Sequence, residues 1–157
     1  MFGRAAIHSH RQRIEAAFAR SNLLSDDAEL IADHAKYLCV LVSGYIEKSL
    51  AEVALEHARR VGAPSVQRFV EKNTARFTNA NSEKVLQFLG SFDPDWRLNV
   101  ESVLVDRYKD AFDSVVNLRH QIAHGSSVGL TYVRIKEYFE AILEIIDYIQ
   151  DLCIPNT

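Results

Sequence analysis

Asp113-Ser-Val-Val-Asn-Leu-Arg119-His120-Gln-Ile-Ala-His124-Gly125 reads as a helix at about 100° per residue, and it organises the chain. That spacing puts Phe112, Val115, Val116, Ile122 and Ala123 on one apolar face, with Arg119 in the middle of it. A guanidinium keeps its charge and is costly to bury unpartnered, so this position asks for an explanation. Beside it, Asp113, Asn117, His120 and His124 form a polar stripe, and Gly125 supplies the helix stop.

Working outward, the remaining segments also follow the helical period, and none alternates like a strand. Residues 6–20 predict a first helix with Ile14, Ala17 and Phe18 inward, broken at Asn22-Leu-Leu-Ser25. Asp26, with Glu29 three residues on, predicts the start of a long helix that runs to Arg60 and stops at Gly62-Ala-Pro64. It is either continuous or bent near Ser43-Gly44. Between Tyr37 and Ile46 it is apolar on nearly every side, which places it at the centre of a bundle.

A helix over about 64–76 follows, with Val66, Phe69 and Val70 as its apolar stripe, then one over 82–89 ended by Gly90. Asp93 is a plausible N-cap with Pro94 at the first helical position, and Trp96 and Leu98 are expected to pack that segment down. The helix carrying Arg119 is expected to begin near Glu101. After Ser126-Ser-Val-Gly129, Thr131 caps a last helix, with Leu130 and Ile135 as a hydrophobic staple. That helix is apolar over more than one stripe, so it either fills the core or gives part of its face to another subunit. The expectation is an all-α, four- to six-helix bundle in one domain spanning 1–157.

Composition bounds the function. Apolar residues at 48% and charged residues at 25% suit a globular protein, and a net charge of −3 argues against a broadly basic nucleic-acid coat. A local basic cleft stays open, with Arg97, Arg107, Lys109, Arg134 and Lys136 as candidates. Cys39 and Cys153 read as reduced core residues. The longest apolar run, Tyr37 to Val42, is far short of the roughly 20 residues of a membrane helix, and residues 4–13 lack the apolar core of a signal peptide. The protein is expected to stay in the cytoplasm, away from membranes.

Glu47 lies among Ser43, Gly44 and Ala51 and reads either as a rim carboxylate or as the partner that makes a buried Arg119 tolerable. Three chemistries then fit residues 119–124. His120-x-x-x-His124 has zinc-protease spacing, but Gln121 stands where that motif needs a glutamate base, and only Asp113 or a distant carboxylate offers a third ligand. In metal-independent RNA cleavage, a histidine takes the 2′-hydroxyl proton and an arginine clamps the scissile phosphate. Residues five apart on one helix diverge by about 140°, so this needs a distorted last turn or two subunits. In a purely structural role, Arg119 anchors helices through a salt bridge and the histidines favour the helix C-terminus.

Arg119-His120-Gln-Ile-Ala-His124-Gly125 resembles the signature of the HEPN superfamily. Leu38-Cys-Val-Leu-Val-Ser-Gly-Tyr-Ile-Glu47, Phe92-Asp-Pro-Asp-Trp96 and Val128-Gly-Leu-Thr-Tyr132 narrow the resemblance to its bacterial RiboL-PSP-HEPN-type branch, over roughly residues 5–150. The resemblance implies an HEPN-like bundle of four main helices plus short ones. It also implies a homodimer whose signature helices meet to form a metal-independent, cofactor-free endoribonuclease site, often in toxins or defence effectors. Carried over, Arg119 binds the phosphate, His124 is the acid–base group, and His120 orients them or contacts RNA. Asn117, Asp113 and Glu47 are supporting residues read from the pattern. Partners implied are RNA, a second copy and an antitoxin or other protein. The alternative is a non-catalytic HEPN module that binds nucleotide, RNA or protein.

Overall fold

The computed structural model describes residues 2–24 and 26–156. Seven α-helices run in order: α1 (Gly3–Ala19), α2 (Ala28–Val61), α3 (Pro64–Thr74), α4 (Ser82–Phe92), α5 (Pro94–Val103), α6 (Asp106–Ala123) and α7 (Tyr132–Cys153). A 3₁₀ turn, Arg20–Leu23, follows α1, and there is no strand among the described residues. The fold is all-α and HEPN-like, with α1, α2, α6 and α7 as the long elements and α3 to α5 inserted between them.

Helix α2 is continuous through Ser43 and Gly44 and packs against α1, α3, α6 and α7. Leu38, Cys39, Val42, Tyr45, Ile46 and Leu50 are wholly buried along it. Its N-cap is Asp27, one residue later than the charge pattern suggested; the Asp27 carboxylate accepts from the Glu29 and Leu30 amides. Ser25, the last residue of the predicted 22–25 break, lies outside the described residues. The caps expected at Asp93 and Thr131 are in place, accepting from the Asp95 and Arg134 amides respectively, and Pro94 takes the first position of α5. Leu130 and Ile135 are both buried in the main core.

Four expectations are corrected. The helix predicted to start near Glu101 is two helices, because the chain bends at Leu104–Val105 and sends Leu104 into the core, 3% exposed. No glycine or proline marks that elbow; burial of Leu104 decides it. On α3 only Val70 of the expected stripe is buried, while Val66 and Phe69 face outward, as does Leu98 on α5. Helix α4 passes Gly90 and ends at Phe92.

The last helix also resolves one way. Ile135, Phe139, Ile142, Ile145, Ile146 and Ile149 of α7 are all buried within the chain, so α7 fills the core. An exposed apolar stripe sits on α2, where Leu30, Tyr37 and Val40 are each more than 40% exposed. Cys39 and Cys153 are free and buried, and burial pushes both thiols up to about 12. No helix of the described residues is long and apolar enough to cross a membrane.

Candidate functional site

Helix α6 carries the site, and its burial fades along its length. Ala111, Phe112 and Val115 are wholly buried, Val116 nearly so, Arg119 and Ile122 only partly, and Ala123 is exposed. The final turns lie at the edge of the packed body, with Leu118 and Ile122 still against the core, so Arg119 sits just where that face reaches solvent. The costly buried arginine expected from the period is therefore a half-buried one. It has no hydrogen bond or ion pair with any described residue, so it does not anchor helices through a salt bridge.

The end of α6 is rigidly built. Gly125 has φ +73, and the Ser126 amide donates to the Gln121 carbonyl at 2.9 Å while the Gly125 amide donates to the Ile122 carbonyl at 3.1 Å. This paired reverse closure satisfies the last carbonyls and stops the helix at His124. The helix is regular through Ala123, and His124 is its C-cap at φ −89, ψ 7. His120 and His124 are exposed, with ring centroids 4.4 Å apart and planes at 63°. No third His, Cys, Asp or Glu joins them as a potential metal-binding group among the described residues.

Two of the supporting residues have other partners. The Glu47 carboxylate accepts from the Asn79 amide at 2.8 Å, not from Arg119. Asn79 has φ +55, so Glu47 holds a left-handed turn between α3 and α4. Asp113 Oδ1 accepts from both the Ser82 amide (2.8 Å) and the Ser82 hydroxyl (2.7 Å), which docks the start of α4 onto α6. Neither bond was legible in sequence, since the partners lie 32 and 31 residues away.

Docking α4 onto α6 opens a groove of about 650 Å³ beside the signature, between the start of α4, the α5–α6 elbow and the outer face of α6. Asp113, Asn117 and His120 line it; Arg119 and His124 do not. Of the basic candidates, Arg97 is engaged by Glu83 at 3.2 Å, Arg107 by Glu144 at 2.7 Å, and Arg134 by Glu137 at 3.6 Å. Lys109 lines the groove, and neither it nor the exposed Lys136 has an ion-pair partner among the described residues.

This arrangement offers a half-buried guanidinium and two adjacent imidazoles near the end of α6, with a groove beside them. Its pattern matches a known family. The chain matches RiboL-PSP-HEPN over residues 9–154, whereas no curated protein and no solved structure gives a match. That membership supports a HEPN-type nuclease or RNA-binding module. With its four long helices, its signature at the end of α6 and a match across nearly its whole length, the chain belongs to the RiboL-PSP-HEPN family.

Proposed function

We propose that the protein is a metal-independent endoribonuclease acting as a homodimer in the cytoplasm, as a toxin or defence effector. The observation that carries this reading is Arg119: a half-buried arginine without a partner among the described residues, one residue before the exposed His120–His124 pair. A guanidinium so placed suits a phosphate, whose oxygens accept two parallel N–H bonds. His124 takes the proton of the ribose 2′-hydroxyl, whose oxygen forms a bond to phosphorus. The bond from phosphorus to the 5′-oxygen breaks, that oxygen receives a proton from His124 of the partner subunit, and a 2′,3′-cyclic phosphate remains. Arg119 offsets the charge that builds on the phosphoryl oxygens. His120, stacked edge-on to His124, orients it.

Two features support self-association. The approximately 140° divergence between Arg119 and His124 on a regular helix favours a composite site in which the two residues come from different copies. The exposed Leu30, Tyr37 and Val40 of α2 supply apolar surface for a second copy to cover. The non-catalytic reading draws on the same divergence, because one chain alone holds a phosphate-binding group without joining it to the acid–base residue.

The test is RNA cleavage in the presence of EDTA, comparing wild type with His124→Ala and Arg119→Ala. Circular dichroism and light scattering control for fold and dimer. Wild type is expected to leave cyclic phosphate ends, and each variant to lose at least about 10²-fold in rate while staying folded. No cleavage of several RNA pools by a folded dimer favours the binding module. Equal cleavage by wild type and variants refutes the assigned chemistry.

A further inference from the structure

The groove beside the signature has a polar inventory that sorts into engaged and free groups. Its carboxylates are engaged: Glu83 and Glu101 both face Arg97, at 3.2 and 3.9 Å, and Asp113 is held by Ser82. The Asn81 side chain caps α4 through the Lys84 amide. Left without a hydrogen-bond or ion-pair partner among the described residues are the side chains of Asn79, Lys109, Asn117 and His120. Apolar wall comes from Leu86, Val105 and Val116.

Position on α6 links this groove to the signature. Lys109, Asp113, Asn117 and His120 follow at three- and four-residue steps, one stripe that continues to His124 just beyond the groove. A ligand lying along the stripe ends at the histidine pair. The three carboxylates disfavour a phosphate inside the groove, whereas apolar walls with uncharged amides suit a flat heteroaromatic base. At about 650 Å³ the space falls within the roughly 300–1,000 Å³ of small-ligand sites.

We propose that this groove is the base-specificity pocket of the enzyme. It holds the nucleobase next to the scissile phosphate against Leu86, Val105 and Val116, with Asn117 and Asn79 bonding its edge. The phosphate lies at the His120–His124 end, and Lys109, roughly 16 Å back along α6 from His120, meets a phosphate farther along the strand. This deepens the RNA-cleavage reading and takes from it that the ligand is RNA.

The experiment uses the full chain as wild type and as Val105→Trp, which fills the groove from an exposed position 45% accessible to solvent. Asn117→Ala, also at an exposed position, serves as the second variant should the first not fold. Binding of the four nucleoside 3′-monophosphates is measured by calorimetry, and cleavage sites on a random RNA pool are mapped by sequencing. A base preference in wild type, flattened in the folded variant along with at least a tenfold loss of affinity for the preferred monophosphate, supports the pocket. Wild type that cleaves RNA, with preference and affinity unchanged in the variant, overturns the pocket and leaves the ribonuclease standing. Wild type that binds a monophosphate but cleaves nothing, with binding lost in the variant, supports the pocket and overturns the catalysis. No monophosphate binding and no base preference in wild type overturns the pocket.

Discussion

Single residues divide here into those proposed to do chemistry and those that hold the surface around them, and Asp113 holds the surface. Its one oxygen satisfies two donors of Ser82, itself only 4% exposed. Asp113→Ala leaves a buried amide and hydroxyl without an acceptor, which costs about 1–3 kcal/mol. Asp113→Asn keeps an acceptor oxygen and is expected to retain most of that stability. Denaturant unfolding of both variants checks this; equal stability of Asp113→Ala and wild type would show the bond to be idle. Glu47 belongs with it, since its carboxylate serves the Asn79 turn. The pattern made both look like members of the site because a helical stripe records the face a residue shares, not the partner it finds.

Among the elements, α6 depends most on its ending. Gly125 sits at φ +73, where an added Cβ meets nothing within 4 Å, so Gly125→Ala isolates the backbone cost of a left-handed residue. That cost is about 1 kcal/mol. Because the strain falls next to His124, cleavage is expected to drop several-fold more than stability does, and Gly125→Asn to restore part of both. Thermal melts set beside single-turnover rates test this; a rate that merely tracks the folded fraction would rule out a positioning role for the cap. Helix α7 teaches a different point. Its several apolar stripes left open whether it served the core or a partner, and packing against α2 and α6 settled it for the core.

For the molecule as a whole, pH reports on how α2 meets the middle helices. His57 of α2 lies edge-on to Trp96 at 4.6 Å and to Phe92 at 6.3 Å. Burial holds its pKa below the usual histidine value, against the pull of nearby Asp93 and with help from Arg60. His10 is shifted the same way by burial, Lys48 and Arg13. A histidine whose folded pKa lies below its unfolded value of about 6.5 contributes full stability above that pH and loses it as pH falls through the folded value. Melting temperature is therefore expected to drop between about pH 7.5 and pH 5.5, and His57→Phe to lessen the drop. An identical drop in wild type and variant would place the proton uptake elsewhere.

What the sequence determined by itself is what acts within a few residues along the chain. The helical period marked the all-α character, though it suggested four to six helices where the described residues hold seven, and it missed one elbow; Asp93-Pro94 and Thr131 announced their caps, Gly125 its stop, and Arg119 to His124 the family. Each of these signals works over two to five positions along the chain, so it is written in local spacing. Only the tertiary structure decided the bend at Leu104–Val105, the outward turn of Val66 and Phe69, the partners of Glu47 and Asp113, and the groove lined by Lys109 and Asn117. Those depend on which elements meet across thirty or more residues. An apolar or acidic side chain satisfies its spacing equally well whether a neighbouring helix arrives to cover it or leaves it in water.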